Sequence, residues 1–428
     1  MSRVRHRFLR PSAGAVLVVL WPLAAAGQEL SLNAALARAE QAAPALVARA
    51  AQLDAAREDA ARAAALPDPR LVVGVANLPI DGAHAFDLRA DDMTMKQIGL
   101  MQEIPARAKR EARAALAARQ VDAAQADSEA ARLRLRQATA QAWIALRAAQ
   151  ELIDAIEAQR EQAALAIELA KARLAGGRGS VVDAMAAQAA ALDLDNRRDS
   201  AQGQLEAARA ALARWLDVDP AHLAASGSWP DFAALPTSEA ELLGRLDHQA
   251  ALLPWQARSD LAQAAVDVAV AGKRPDWSIS ASYGQRSRSP GGMRRDDMLM
   301  FEVAVGLPLF ARNRQDRDVA ARRAELAAVE AEHEDARRAQ LDTLRETLAQ
   351  WHAMQRLVAR KQQQLLPLAH DRSRTALAAY RGGGALQPWL DARRDELELE
   401  VEHTTHLSEL GRAWAALAFL LPTAETTP

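Results

Sequence analysis

Few residues in this 428-residue chain stand at spacings that could bring chemistry together. His403 and His406 lie three apart in a helical stretch and would share one face of a metal site. No further ligand is spaced to join them, so a surface histidine pair is the favoured reading. His333-Glu334 lacks the second histidine of the H-E-x-x-H zinc protease motif. Gly176-Gly177-Arg178-Gly179-Ser180 is glycine-rich like a phosphate loop, but lacks the P-loop lysine and a buried strand before it. No nucleophile elbow is present. The absence of cysteine excludes disulfides, thiolate nucleophiles and thiolate-held metals. The methionines are placed less evenly. Met93, Met95 and Met101 flank one strand-like segment, and Met293, Met298 and Met300 flank another. Thioethers are soft ligands suited to Cu(I) and are also ordinary apolar fillers; packing or lipid contact is the favoured reading. Nothing here requires a cofactor, and an enzyme is not expected.

The elements that must carry these residues are mostly helical. Half the chain is apolar, yet aromatics supply only 4%. Alanine dominates the apolar count, and it is the strongest helix former. The net charge of −2, with both signs interspersed, gives no basic stripe for nucleic acid. Arg3, Arg5, Arg7 and Arg10, the apolar run Ala13 to Leu23 and the small residues Ala24 to Ala26 read as an export signal over 1–27. No later segment approaches the ~20 apolar residues of a spanning helix. Entry into a membrane would therefore require strands.

Neither glycine nor proline interrupts Ala106 to Ala175 or Leu309 to Leu366. At 1.5 Å per residue these runs predict helices on the order of 90–105 Å, which demand bundle or coiled-coil packing. Four short segments behave differently: 69–78, 95–104, 276–285 and 299–309. In the last two, Trp277, Ile279, Ala281 and Tyr283, and then Leu299, Phe301, Val303 and Val305, alternate with polar or small residues. Their length is that of transmembrane β-strands. The chain also repeats at roughly 205–208 residues, too long for a solenoid unit. LPD at Leu66 returns as RPD at Arg274, and IGL at Ile98 as VGL at Val305. Two halves follow, 28–216 and 239–428, joined by a linker at 217–238. Each reads helix, strand, strand, very long helix, glycine turn, helix. Four strands cannot close a membrane barrel, whose smallest form has eight. An open edge in lipid leaves backbone groups unpaired. A barrel shared by symmetry-related copies is the solution.

On this duplicated layout and two glycine-bearing hairpin tips, the chain resembles the TolC-like outer-membrane factors of tripartite efflux pumps. Arg173, Gly177 and Asp183 stand at the spacing of the family's first tip, with Leu174 where an aromatic is usual. Tyr380, Gly383 and LQPWLDA (Leu386–Ala392) match the second, with Pro388 where its first aspartate would be. LPDPRLVVGVANLP and DDMTMKQIGLMQEIP, followed by Lys109-Arg110, are similar to the heavy-metal branch (copper/silver, cobalt-zinc-cadmium) working with RND pumps.

The resemblance implies a mainly α fold, a long helical barrel, and four strands per protomer forming a shared 12-stranded β-barrel as a homotrimer. It implies outer-membrane lipid around the strands, and a periplasmic adaptor protein and an inner-membrane pump as partners. Leu174, Gly176, Gly177, Arg178 and Gly179, with Tyr380, Arg381, Gly382, Gly383 and Gly384, would be docking tips for the adaptor. Asp183 and Asp391 would line a periplasmic gate, with Pro388 removing part of its expected charge. A soluble periplasmic coiled-coil adaptor or structural spacer is the alternative. It is disfavoured by two hairpins and only four strands, where an adaptor would show a strand-rich lipoyl-like module and one hairpin.

Overall fold

The computed structural model describes residues 28–422; the export signal read over 1–27 lies outside them. The chain opens with β1 (Gln28–Leu30), α1 (Leu32–Ala42) and α2 (Pro44–Arg62). Ser31 caps α1, its hydroxyl accepting from the Ala34 amide at 3.3 Å. Pro44 then starts α2 at a position where its missing N–H has no helical partner to lose. β2 (Arg70–Ala76) and β3 (Met95–Ile104) form a hairpin. β2 stops short of the ten residues its pattern suggests because Asn77 turns the chain at φ 55°.

α3 (Arg107–Ala175) runs 69 residues without a break, about 100 Å. It reverses through the first tip into α4 (Val181–Leu216). The second half repeats the plan after β4 (Leu223–Ala225) and α5 (Glu239–Gly244), with α6 (Leu253–Ala271), β5 (Asp276–Arg286), β6 (Met298–Gly306), α7 (Gln315–Arg360), α8 (Leu366–Arg381) and α9 (Gln387–Ala418).

Where α3 is continuous, its counterpart is interrupted. A π turn over Lys361–Leu365 separates α7 from α8. Pro367 sits in the first turn of α8. Its ring would clash with the carbonyl four residues back and leave that group unbonded. The wider turn relieves the clash, so the helix passes the proline instead of ending before it.

The largest core lies at mid-height, where β1 pairs in parallel with β4. Trp143, Trp229, Phe232 and Trp414 form a chain of ring contacts 5.5–6.1 Å apart. The indoles donate to the backbone: Trp143 to Leu30 at 2.7 Å, Trp351 to Phe232 at 2.9 Å and Trp414 to Ala234 at 2.8 Å. Segment 217–238 is thus stitched into the helices by its own aromatics. Gly411 allows the approach, since a Cβ there would lie 2.8 Å from the Phe232 ring.

The four-stranded sheet has the order β2-β3-β5-β6, antiparallel throughout. Its central seam, β3 with β5, joins the two halves, with Met95 opposite Arg286 and Ile104 opposite Trp277. β2 and β6 are unpaired on their outer sides among the described residues.

Candidate functional site: a two-faced sheet and two clasped helical tips

The pairing register sorts the strands into two faces. One carries Leu71, Val73, Ile98, Leu100, Trp277, Ile279, Tyr283, Leu299, Phe301 and Val303, every one of them exposed. Phe301 is 73% accessible. Such a continuous apolar surface is not sustainable in water. Trp277 and Tyr283 stand toward its two ends, where a membrane barrel carries its aromatic girdles. Strands of 7 to 11 residues give the ~25 Å band of such a barrel once tilted. The opposite face is small or polar: Gly74, Gln97, Gly99, Glu103, Ser278, Ser280, Ser282, Gly284 and Glu302, with methionines among them. It is the more occluded face, as the inside of a curved sheet must be.

Far along the helices, the two tips share one local design. Gly177 (φ 69°) and Gly383 (φ 106°) adopt the left-handed conformation just past a helix end. At the first tip, the Gly177 amide donates to Leu174 and the Arg178 amide to Arg173. At the second, Gly383 donates to Tyr380 and Gly384 to Ala379. Both are Schellman closures, and in both a Cβ on the left-handed glycine would meet open space, so the requirement is torsional alone. Ser180 caps α4 by accepting from the Val182 amide at 3.1 Å. Pro388 falls in the first turn of α9, where no intrahelical donor is lost.

The tips are joined by Arg173. Its Nη1 donates to the carbonyls of Tyr380 (3.1 Å) and Gly384 (2.9 Å), and its Nη2 to Gly383 (3.2 Å). The guanidinium also lies 4.5 Å from the centroid of the Tyr380 ring. These carbonyls close the C-terminal end of α8, where a cation is favoured by the helix dipole. Tyr380 stacks on Trp389 at 5.8 Å, and both are buried with Leu386 against Ala166, Ala170 and Ala187. Sequence spacing singled out Tyr380 but not the clasp, because Arg173 and its acceptors are 207 to 211 residues apart. Trp389 was also missed; its aromatic character beside Pro388 was the available signal.

The remaining tip residues face outward. Leu174, Gly176, Arg178, Arg381, Gly382 and Gly384 are exposed, and Gly179 lies against the Leu174 and Arg173 backbone. Val181, Val182 and Met185 extend this exposed surface along α4. Asp183 occupies the first turn of α4, favourably placed at the helix N-terminus. Asp391 accepts from the Gln387 side chain at 2.8 Å and lines a cleft of about 350 Å³ that Asp183 does not line.

The histidine pair is half-buried on α9 beside the π turn. Lys361 is 6% accessible and donates to Glu402 at 2.6 Å. Burial, together with the charge of Lys361, holds the His403 imidazole below its ordinary pKa. A cation would meet a fixed ammonium there. No group of three or more His, Cys, Asp or Glu is arranged to hold a metal among the described residues.

A sheet with one lipid-compatible face and two open edges, carried on ~100 Å helices, is the arrangement of an outer-membrane channel subunit. Residues 35–217 and 245–422 match the outer membrane efflux protein family, so the chain belongs to that family, whose members are channels and not enzymes. The two matched stretches correspond to the two halves. The chain is 29% identical over 323 residues to the cobalt-zinc-cadmium resistance protein CzcC of Cupriavidus metallidurans, covering 73% of this chain and 71% of that protein. Its fold matches CusC at a TM-score of 0.75 and 14% identity, over 93% of this chain and 94% of the other. The open state of the MtrE outer membrane channel of Neisseria gonorrhoeae matches at 0.69 and 17% identity, over 91% and 88%. Membership sets aside the soluble adaptor or spacer. The protein is an outer-membrane efflux channel of tripartite pumps.

Proposed function

We propose that the protein is the passive exit duct of an RND-type pump that expels heavy-metal cations, with residues 1–27 removed on export. Three copies close the sheet into a 12-stranded barrel, and their helices continue the bore into the periplasm. The observation that carries this is the sheet itself: four strands, both edges unpaired, one face apolar and exposed. Unpaired edges cost several kcal/mol per backbone group in lipid, and only copies of the same edges can satisfy them in a closed ring. Twelve strands leave room for a lumen. The similarity to a cobalt-zinc-cadmium resistance protein supports metal cations as cargo.

The tips form the far end of the bore. With Tyr380 buried beneath them, Leu174, Gly176 to Gly179 and Arg381 to Gly384 dock the periplasmic adaptor, which links the duct to the inner-membrane pump that supplies the energy. Asp183 and Asp391 face the narrowed bore and favour cations by their charge. Purified protein in detergent should run as a trimer and conduct ions across a planar bilayer. A deletion strain grown on a panel of metals and drugs should lose tolerance to metals selectively. A monomer in detergent-free buffer would refute the duct. Sensitivity to drugs alone would refute the cargo.

A further inference from the structure

The two ends of the sheet use their arginines differently. At the loop end, Arg286 donates to the Asp296 carbonyl at 2.6 Å and Arg295 to the Arg89 carbonyl at 2.9 Å, so both guanidiniums are committed to the chain itself. At the helix end β3 runs into α3 and β5 follows α6, and a cleft of about 390 Å³ opens where they meet. Ile104, Pro105, Arg107, Arg110, Arg274 and Trp277 line it. Ile104 pairs with Trp277, and by alternation both belong to the apolar face of the sheet. Trp277 is 49% accessible there. The cleft therefore adjoins the helix-side margin of the lipid-facing band. β3 and β5 are the two inner strands, so the cleft lies at the middle of the sheet, away from the open edges of β2 and β6 that neighbouring copies would complete.

The cations around this cleft are unequally matched. The Arg107 Nε donates to Glu111 at 2.7 Å, and Lys109 to Asp276 at 2.6 Å. Asp276 also accepts from the Ala106 amide at 3.0 Å. Arg110 and Arg274 are left over: neither guanidinium has a hydrogen bond or ion pair among the described residues, and the Arg110 Nε is buried without an acceptor. A buried donor without a partner costs the full desolvation of that group. We infer that the cleft is a headgroup site for an anionic phospholipid of the inner leaflet, its phosphate held by Arg110 and Arg274 and its glycerol end against Trp277 and Ile104. Planar guanidinium forks match the oxygens of a phosphate, and basic pockets at the edge of a membrane span bind such headgroups. A phospholipid is favoured over free phosphate because the apolar part of the lining continues into the band that meets acyl chains. An anionic headgroup is favoured over a zwitterionic one because Glu111 and Asp276 already hold their own cations, which leaves no carboxylate for an ammonium. The inference rests on the sheet lying in the outer membrane. One such lipid on each chain pins the height at which the long helices leave the bilayer.

The test uses the purified full-length channel in detergent, with bound lipid counted by native mass spectrometry as dimyristoylphosphatidylglycerol is added. One lipid per chain should bind on the order of tenfold more tightly than dimyristoylphosphatidylethanolamine and raise the melting temperature of the assembly. Arg110→Gln and Arg274→Gln should each weaken it ~5-fold, and the double variant should lose the preference. Arg110→Lys keeps the charge without the fork and should fall between the parent and Arg110→Gln. Ala108→Glu adds a carboxylate to the lining and should exclude the lipid with every arginine still in place. Arg288→Gln, exposed at the loop end, should bind as the parent does. Equal binding of the two lipids by the parent, or phosphatidylglycerol binding unchanged in either the double variant or Ala108→Glu, would overturn the site. Inorganic phosphate alone giving the parent the same thermal shift would make the cleft a free-phosphate site and overturn the lipid assignment. Conductance of the same preparations in planar bilayers reports the duct separately, so loss of the lipid preference with conduction intact refutes the headgroup site and not the channel.

Discussion

Replacing Arg173 with alanine should loosen the second tip without unfolding the helices. The side chain donates three hydrogen bonds, to the carbonyls of Tyr380 at 3.1 Å, Gly383 at 3.2 Å and Gly384 at 2.9 Å. Hydrogen bonds involving a charged group are worth about 1.5–3 kcal/mol each when buried, and a cation–π contact at an exposed site about 0.5–1 kcal/mol. The guanidinium is only half-buried, and water replaces part of what it gives, so the clasp as a whole contributes roughly 2–3 kcal/mol. That corresponds to a ~30–150-fold rise in the opening equilibrium of the tip. The amides of Gly382, Gly383 and Gly384 donate back to Ala378, Tyr380 and Ala379, so they report directly on this opening. Hydrogen exchange of the trimer should show those amides accelerated by that factor in Arg173→Ala, with protection in α3 around Trp143 unchanged. Arg173→Lys should fall between, because one ammonium cannot reach three carbonyls in a fork. In planar bilayers the alanine variant should dwell longer in its conducting state. Exchange at the three glycines within threefold of the parent would refute the clasp as the element that holds the tips together.

Other perturbations probe different levels. Gly177→Val and Gly383→Val force a β-branched residue to a positive φ, costing about 1–3 kcal/mol each; metal tolerance should fall while outer-membrane abundance on immunoblots stays at the parent level. Phe301→Arg places a charge on the apolar face and should destabilise the inserted barrel by about 2–4 kcal/mol, seen as a lower trimer-melting temperature in urea gels; Ser280→Arg, on the opposite face, should leave melting unchanged and alter ion selectivity. His403 has a pKa depressed by burial and by Lys361, so its contribution to stability is present above its unfolded pKa and lost as pH falls through the depressed value. Neighbouring Glu400 is raised by burial and acts oppositely, its contribution being lost as pH rises. His403→Gln should therefore flatten the loss of thermal stability on acidification below about pH 6.5, and an unaltered pH slope would exclude His403 as its source.

The fold class was legible because its signals are long. Seventy residues without glycine or proline can hardly be anything but helix, and strands such as Leu299 to Val305 alternate too regularly to mistake. The continuation past Pro367 was not legible. A proline ordinarily closes a helix, and only the neighbouring π turn, which has no residue signature, lets this one pass. Nor could the linker's part in the core be read, since Trp229 and Phe232 find their partners on α3 and α9 by tertiary placement. At the tips, glycine at a helix end announces a turn through its backbone freedom alone. The Arg173 clasp needs two distant segments side by side, which a linear pattern does not encode.

The seam between β3 and β5 fixes a timetable for assembly. Residues 95–104 wait for partners at 277–286, and β1 waits for residue 223. Contacts this remote in sequence form slowly, after local helical hairpins have had ample time to fold. The first half alone can make α3 and α4 but not a sheet wider than one hairpin. Insertion into the outer membrane is therefore a late event. In the proposed trimer it waits until residue 306 of every copy is available to the sheet, by which time the first helical hairpin of each has had time to form.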